Sequence, residues 1–423
     1  MPHDDITRVD ITLVDPESDP ANRRYRRIRV ADGRVVRETW TGQRKPRVTT
    51  IEGGDERQTW NAFRKEKDRR LREGFVLVRD PSAAAPGEVV LEWLSPYPST
   101  SDAFDLHPDG GTLAVGTMLD QAYGAEIRLV DLATGRARLV HREPPGKRQT
   151  FLHAVLFDAD GTNLVYARNE QTWRLDLATG ERRLLADYTR RHPADETMNP
   201  FCVHPAWDAA RRRLLLFDAD HTARVLDAAG GTLFELSMAS PTTQCRAGAL
   251  SRSGRLLALY RPSRGVTYRH ADAIHDTSNL VEVWDVDQRK LVRSIPFPHE
   301  IVPRALGFDP TEEQVVAAVR YAEGPCAVSI ETGELVWAFT NPGGRTDRWA
   351  TCYGWAYSPD GKTLAVGGDR TRGLGLYSAA TREPADVAPQ GADRQRIHRL
   401  VHSADGRLLA AGGDCGRLVV RRL

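Results

Sequence analysis

The sequence has few cysteines, and their spacing suggests neither a disulfide framework nor a metal knuckle. Five cysteines are spread widely over 423 residues, and no two of them form a Cys-x-x-Cys pair. Disulfide-rich domains and zinc ribbons both require closely spaced cysteines. We therefore expect free, buried thiols in a reducing compartment, which is the cytoplasm. The five residues are Cys202, Cys245, Cys326, Cys352 and Cys415.

Long hydrophobic runs are also missing. The first ten residues contain three aspartates and no apolar stretch, so no secretory signal is predicted. No segment approaches the roughly 18 apolar residues that a membrane-spanning helix requires. The formal net charge is only +2. The net charge of the whole chain is therefore too small to attract it electrostatically to a membrane or to nucleic acid.

Motifs that carry chemistry are absent as well. The sequence has no Gly-x-Ser-x-Gly turn, no Gly-x-x-x-x-Gly-Lys-Ser/Thr phosphate loop and no His-Glu-x-x-His motif. The pattern most like a metal site is His270, Asp272, His275 and Asp276. Such residues can hold a divalent ion, but they fall in a long polar insertion, which favours an exposed loop. We predict a non-enzymatic protein without metal or cofactor.

A repeated pattern occupies the chain from Ala103 onward. Each copy has an apolar strand, a short polar turn, a second apolar strand and a third strand before a further turn; the first copy turns at Asp109-Gly110. Asp-Gly and Ser-Gly pairs accept the positive φ of tight hairpins. Adjacent copies are 45 to 57 residues apart, near the period of propeller blades. The other six copies centre on Asp160-Gly161, Trp207-Asp208, Ser253-Gly254, Pro310-Thr311, Asp360-Gly361 and Asp405-Gly406.

These repeats resemble WD-repeat propellers, with divergent bacterial repeats as the nearest match. The resemblance is carried by Phe308-Asp309-Pro310, by the run from Tyr357 to Ala365 and by Val283-Trp284-Asp285-Val286. Only one Trp-Asp dipeptide lies at the expected strand end, and the Gly-His signatures are missing. The resemblance implies an all-β fold, a seven-bladed β-propeller of four-stranded blades, and binding of a protein partner on a propeller face.

The last repeat contains only three strands, whereas a complete blade needs four. Residues 88–93 precede the first repeat and have the pattern of a strand. We expect this strand to close the ring as the outer strand of the final blade, which removes a free sheet edge. The domains predicted are residues 1–80, a linker at 81–87 and the propeller at 88–423.

The first 80 residues break the repeat and predict a small α+β domain of antiparallel strands and one helix at 55–73. We expect Trp40 and Phe63 in its core. The order resembles the WGR domain, although this chain has Thr41 after Trp40 and Gln43 after Gly42 where the family has Trp-Gly-Arg. In poly(ADP-ribose) polymerases, such domains contact DNA ends and neighbouring domains. The matching residues are Tyr25, Trp40, Gly42, Phe63, Lys67, Gly74 and Phe75.

Basic residues are concentrated in this front domain. Residues 23–47 contain ten lysines and arginines against two acidic residues. A cationic strand pair can contact phosphates by releasing counterions, but it can equally be a solvated or protein-docking face. The candidate binding residues are Arg24, Arg26, Arg27, Arg29, Arg37, Lys45 and Arg47.

Three functions follow from these patterns. The first is an interaction scaffold whose propeller binds a protein partner while the front domain docks a second ligand. The second is a regulator that binds DNA or RNA through the basic front domain. The third, less favoured, is a propeller enzyme such as a metal-dependent hydrolase.

Overall fold

The computed structural model shows a ring of antiparallel sheets with a small α+β module attached to it. No helix among the described residues is long and apolar enough to cross a membrane. The structure describes residues 10–51, 53–95, 103–119, 124–144, 152–169, 171–187, 205–218, 222–237, 247–261, 279–297, 301–319, 324–339, 352–368, 373–385, 396–413 and 416–423.

Five sheets of the ring consist of four antiparallel strands that follow one another in the chain. The first strand of each sheet is innermost, and most of the first strands contact the first strand of the next sheet around the ring. Blade 1 is β7 (Phe104–Leu106), β8 (Thr112–Met118), β9 (Ala125–Asp131) and β10 (Ala137–Glu143); blade 2 is β11 (Leu152–Phe157), β12 (Asn163–Arg168), β13 (Gln171–Asp176) and β14 (Arg182–Asp187); blade 3 is β15 (Ala206–Trp207), β16 (Arg213–Asp218), β17 (Thr222–Asp227) and β18 (Thr232–Leu236).

The chain then continues through two more blades and into the last two sheets. In chain order, blade 4 is β19 (Ala247–Leu250), β20 (Leu256–Arg261), β21 (Asn279–Asp285) and β22 (Lys290–Phe297); blade 5 is β23 (Ile301–Phe308), β24 (Gln314–Val319), β25 (Pro325–Ser329) and β26 (Leu335–Ala338); a three-stranded sheet is β27 (Gly354–Tyr357), β28 (Thr363–Gly367) and β29 (Leu374–Ser378); and the last strands are β30 (Ile397–His402), β31 (Leu408–Gly413) and β32 (Arg417–Arg422).

A strand from before the repeats completes the last sheet. The strand β6 (Val89–Leu94) pairs antiparallel with β32, and we call this sheet of β30, β31, β32 and β6 the closing blade. Four apolar β6 residues are buried there: Val90, Leu91, Trp93 and Leu94.

The predicted number of seven four-stranded blades is wrong. Six blades have four strands, while the sheet of β27, β28 and β29 has three within the described residues. After β29, the chain forms one isolated bridge between Tyr377 and Pro384. Backbone hydrogen bonds flank this bridge, from the N–H of Ser378 to the carbonyl of Glu383 and from the N–H of Ala385 to the carbonyl of Leu376, and this described segment ends at Ala385.

The front module contributes five strands and a helix, and its sheet continues the closing blade into a single nine-stranded sheet. The helix begins after Asp55, whose side chain accepts from the N–H of Gln58 in a capping box. Phe63 is buried against the sheet, as predicted. Trp40 is only half-buried, so its predicted core position is wrong; its ring stacks on that of Tyr25. The elements are β1 (Asp10–Val14), β2 (Arg24–Ala31), β3 (Arg34–Thr41), β4 (Arg47–Ile51), α1 (Glu56–Arg72) and β5 (Val76–Val78).

Backbone pairing and a buried ion cluster join the front module to the ring. The strand β5 pairs with β6, and Lys67 of α1 lies 2.9 Å from the buried carboxylate of Glu92 on β6. Arg417 of β32 binds the same carboxylate and also contacts Asp68 at 2.7 Å. These cations hold the pKa of Glu92 below its usual range despite burial. The helix is therefore fixed to the closing blade.

Candidate functional site

A cavity of about 480 Å³ lies at the centre of one face of the ring. It is lined by the turns that follow the innermost strands β7, β11, β15, β19, β23, β27 and β30, which we call the inner turns. In each inner turn, the N–H of the fourth residue donates to the carbonyl of the first residue, as from Gly361 to Ser358. The hydroxyl of Ser358 also accepts a hydrogen bond from the N–H of Thr363. All six described blades and the three-stranded sheet thus contribute to a single surface.

Apolar side chains make up much of the cavity wall, with a few polar groups between them. Arg252 is exposed and forms no ion pair within the described part of the chain. Burial lowers the pKa of His402 to about 4, so its imidazole is neutral at neutral pH. Burial also raises the pKa of Tyr357 to about 12. The apolar lining includes Pro108, Ala159, Ala209, Phe308, Pro310 and Pro359.

Arg211 links three blades at the edge of the cavity. It belongs to the inner turn of blade 3, yet its Nη1 lies 2.5 Å from the buried Asp105 carboxylate of blade 1. The same atom donates to the carbonyl of Phe157 in blade 2 at 2.7 Å, and Nη2 donates to the carbonyl of Leu106. Asp105 also accepts from the N–H of Phe157. The guanidinium group is therefore a fixed part of the cavity wall.

Two inner turns differ from the rest in the residue at their fourth position. Arg211 has a φ of 55° and Glu312 a φ of 63°, a conformation that costs free energy for residues with a Cβ atom. Glu312 accepts hydrogen bonds from the N–H and hydroxyl of Ser253 in the neighbouring blade. Both exceptions therefore place a charged side chain across a blade boundary. The other five turns have glycine here, at Gly110, Gly161, Gly254, Gly361 and Gly406.

A second polar cluster joins blades 1 and 2 away from the cavity. Glu143 of β10 is buried and lies 2.7 Å from both Arg168 and Arg182 of blade 2. Tyr166 donates to it at 3.0 Å, and His141 lies 2.9 Å away. These partners hold the pKa of Glu143 at about 2 even though burial opposes ionisation. The cluster links adjacent blades through a carboxylate that is ionised at neutral pH.

The basic residues predicted from the sequence lie on both faces of the front sheet. Side chains alternate along a strand, so Arg27 and Arg29 share the face of β2 that points away from α1. Arg27 binds Asp10 at 2.5 Å, and Arg29 approaches Glu38 at 3.3 Å. These two arginines are therefore neutralised by carboxylates of neighbouring strands.

The opposite face of β2 carries Arg24 and Arg26, near the helix. Arg24 Nε donates to Asp15 at 2.6 Å, and Arg37 on β3 binds Glu66 of α1 at 2.9 Å. Arg26 has no carboxylate partner within the described part of the chain; its Nη1 donates to the carbonyl of Tyr25. The structure does not gather the seven candidates into one patch. The remaining two candidates, Lys45 and Arg47, are exposed.

No group of three or more His, Cys, Asp or Glu side chains among the described residues is arranged to hold a metal ion. The cluster of His270, Asp272, His275 and Asp276 lies outside these residues. Cys326 and Cys352 are free and buried, and burial raises their pKa to about 11 and about 12. Their thiols are thus protonated at neutral pH. The other three cysteines, Cys202, Cys245 and Cys415, also fall outside the described residues.

Sequence reasoning did not identify Arg211 and Asp105. The only local signal was the Arg211 position itself, where the repeat favours glycine. Asp105 is one polar residue within an apolar strand, and nothing in the sequence connects it to a residue two blades away.

The similarity of this chain to known proteins lies in its fold. No family model matches the sequence, and no curated protein matches it. Among solved structures, 1259 chains match, so the fold is common and says little about function. One is a WD40 β-propeller chain in the crystal structure of a mitotic checkpoint complex, with a TM-score of 0.57 and 15% identity over 80% of this chain and 96% of that chain. The chain thus has a WD40-like propeller fold.

Proposed function

We propose that this protein is an interaction scaffold whose central cavity receives a segment of a protein partner. The observation that carries the proposal is that every inner turn of the described ring lines the same cavity. A partner segment bound there would contact all the sheets at once, on a surface held by tight hairpins. WD40-like propellers commonly mediate protein interactions, and this agrees with the proposal.

The cavity lining indicates the chemistry of the segment. Proline, alanine and phenylalanine side chains offer apolar contact, while Arg252 adds an exposed, unpaired positive charge. Arg211 is already neutralised by Asp105. The surface therefore favours a segment with an acidic residue next to apolar ones, since the acidic group can reach Arg252 as the apolar groups leave water.

Two alanines of blade 2 allow a matched test. Ala159 is exposed in the inner turn and lines the cavity, whereas Ala178 is exposed in a turn at the outer end of the same blade. We expect Ala159→Trp to obstruct the cavity without disturbing the fold. Partners would be recovered from cells of the source organism by affinity purification of wild-type protein and of both variants.

The expected result is at least one protein that is recovered with the wild type and with Ala178→Trp but is lost with Ala159→Trp. The same protein should be reduced by Arg252→Glu, which reverses the charge at the rim. If every recovered protein binds Ala159→Trp as well as it binds the wild type, the cavity is not the docking site.

A further inference from the structure

Two arginines of the front module lie over the same aromatic ring. The guanidinium carbons of Arg24 and Arg26 are 5.7 and 4.9 Å from the centroid of the Phe75 ring. Asp15 fixes Arg24 through its Nε and Nη2 atoms. Both arginines extend from the regular strand β2, so their positions are set by sheet pairing with β1 and β3. The two groups are thus organised side by side before any ligand binds.

Positive charge exceeds negative charge around this pair. Asp15 binds Arg24, Glu66 binds Arg37, Arg69 and Arg70, and Glu73 binds Arg70. Counting Arg26, five guanidinium groups therefore face three carboxylates.

Arg26 is the member of this group without a carboxylate partner in the described part of the chain. Burial and repulsion from Arg70 and Arg24 lower its pKa, and the attraction to Glu73 offsets this only in part. An added anion therefore stabilises the charged guanidinium of Arg26 more than it would stabilise that of a solvated arginine.

We propose that Arg26, with Arg24 beside it, binds an acidic side chain of a protein partner. The carboxylate would lie between the two guanidinium groups at the edge of the Phe75 ring. This is a second contact surface, separate from the central cavity, and it does not depend on the function proposed for that cavity.

The pairing of the neighbouring arginines favours a protein carboxylate over nucleic acid. A duplex carries one charge per about 1.7 Å of helix axis, so binding it requires several unpaired cations along a track. Here Arg27 is held by Asp10, Arg29 by Glu38 and Arg37 by Glu66. One unpaired guanidinium beside an anchored one fits a single acidic group better than a phosphate backbone.

The test measures binding of a fluorescein-labelled hexaglutamate peptide to the full-length protein at low salt. The change is Arg26→Gln, and the matched control is Arg34→Gln, which removes the same charge from an exposed arginine at the start of β3. We expect Arg26→Gln to weaken binding about tenfold, the effect of losing a charged hydrogen bond. Arg34→Gln should change affinity less than about twofold, and Ala159→Trp should leave binding unchanged.

Thermal unfolding of Arg26→Gln separates binding from a structural role. Because Arg26 is surrounded by other cations, its removal should leave the Tm within about 2 °C of the wild type. The proposal is overturned if Arg26→Gln and Arg34→Gln weaken peptide binding equally, or if the peptide does not bind. It is also overturned if a labelled duplex of equal charge binds more tightly than the peptide and loses that affinity in Arg26→Gln.

Discussion

Arg211 occupies a backbone position that glycine holds in five other inner turns, and its side chain reaches Asp105 two blades away. The strain of a positive φ costs about 1 kcal/mol for a residue with a side chain. A buried carboxylate that loses its partner costs about 3 to 5 kcal/mol. Leaving the carboxylate unpaired costs more than the backbone strain, so the arginine stabilises the ring in spite of its positive φ.

We therefore predict a definite order of stability for substitutions at this residue. Arg211→Ala should lose the contacts with Asp105 and keep the backbone strain, whereas Arg211→Gly should lose the contacts and relieve the strain. Thermal unfolding should give the highest Tm for the wild type, then Arg211→Gly, then Arg211→Ala, with about 1 kcal/mol between the two variants. Adding Asp105→Asn should recover part of the loss, because no unpaired charge would remain. Equal Tm values for Arg211→Ala and the wild type would show that the link is not stabilising.

The sequence could predict single residues where the cause is local. The positive φ of the turn glycines follows from hairpin geometry, and the capping role of Asp55 follows from its place before a helix. The pairing of Arg27 with Asp10, and of Arg211 with Asp105, depends on which strands become neighbours. For this reason the basic residues could be found in the sequence but not divided into paired and unpaired groups.

At the scale of elements, β6 is the strand that joins the end of the chain to its beginning. It pairs with β32 on one side and β5 on the other, and it buries Val90, Leu91, Trp93 and Leu94. Burying each such side chain contributes roughly 1.5 to 3 kcal/mol. Four of them together approach the entire stability of a typical domain, roughly 5 to 15 kcal/mol.

Two truncations should therefore behave differently. Deletion of residues 1–93 removes β6 and should give a protein that is unfolded or aggregated, because β32 is left with an open, apolar edge. Deletion of residues 1–80 keeps β6 and should leave a folded ring with a lower Tm, because the contact between Lys67 and Glu92 is lost. Circular dichroism during heating would distinguish them, and identical unfolding curves for both truncations would contradict the role given to β6.

Strands and the helix could be predicted from the sequence where turn residues show where they end. Asp-Gly and Ser-Gly turns marked the inner hairpins, and the helix expected at 55–73 spans Glu56–Arg72. The number of four-stranded blades was not predictable in this way. A fourth strand for the sheet of β27, β28 and β29 was inferred by analogy with the other repeats, whereas the described residues after β29 form one isolated bridge, between Tyr377 and Pro384, and no further strand.

At the scale of the whole molecule, the front module and the ring share one continuous sheet and one apolar cluster. Val14 and Val76 of the module pack in the same buried cluster as Leu418 of the closing blade and Phe104 of blade 1. Arg23 also donates to the carbonyl of Thr134 in blade 1. The Arg26 surface and the central cavity are therefore held at a fixed separation, as a scaffold with two contact surfaces requires.

The repeat pattern was sufficient to predict a propeller, because one blade cannot bury both faces of its sheet and copies must stack. The attachment of the front module was not predictable from composition. Residues 81–87 have the composition of a flexible linker, yet Ala84 is buried and the N–H of Gly87 donates to the carbonyl of Arg422. Their structure depends on the neighbouring chain end and not on the segment itself.

Hydrogen–deuterium exchange of the protein with and without a partner recovered as described above tests the proposed docking site most directly. If the partner segment occupies the central cavity, amides of several inner turns should become protected together, among them those of Gly110, Gly361 and Gly406. The turn that contains Ala178, at the outer end of blade 2, should exchange at an unchanged rate. Protection confined to outer strands, with the inner turns unchanged, would contradict the proposal that the cavity is where the partner binds.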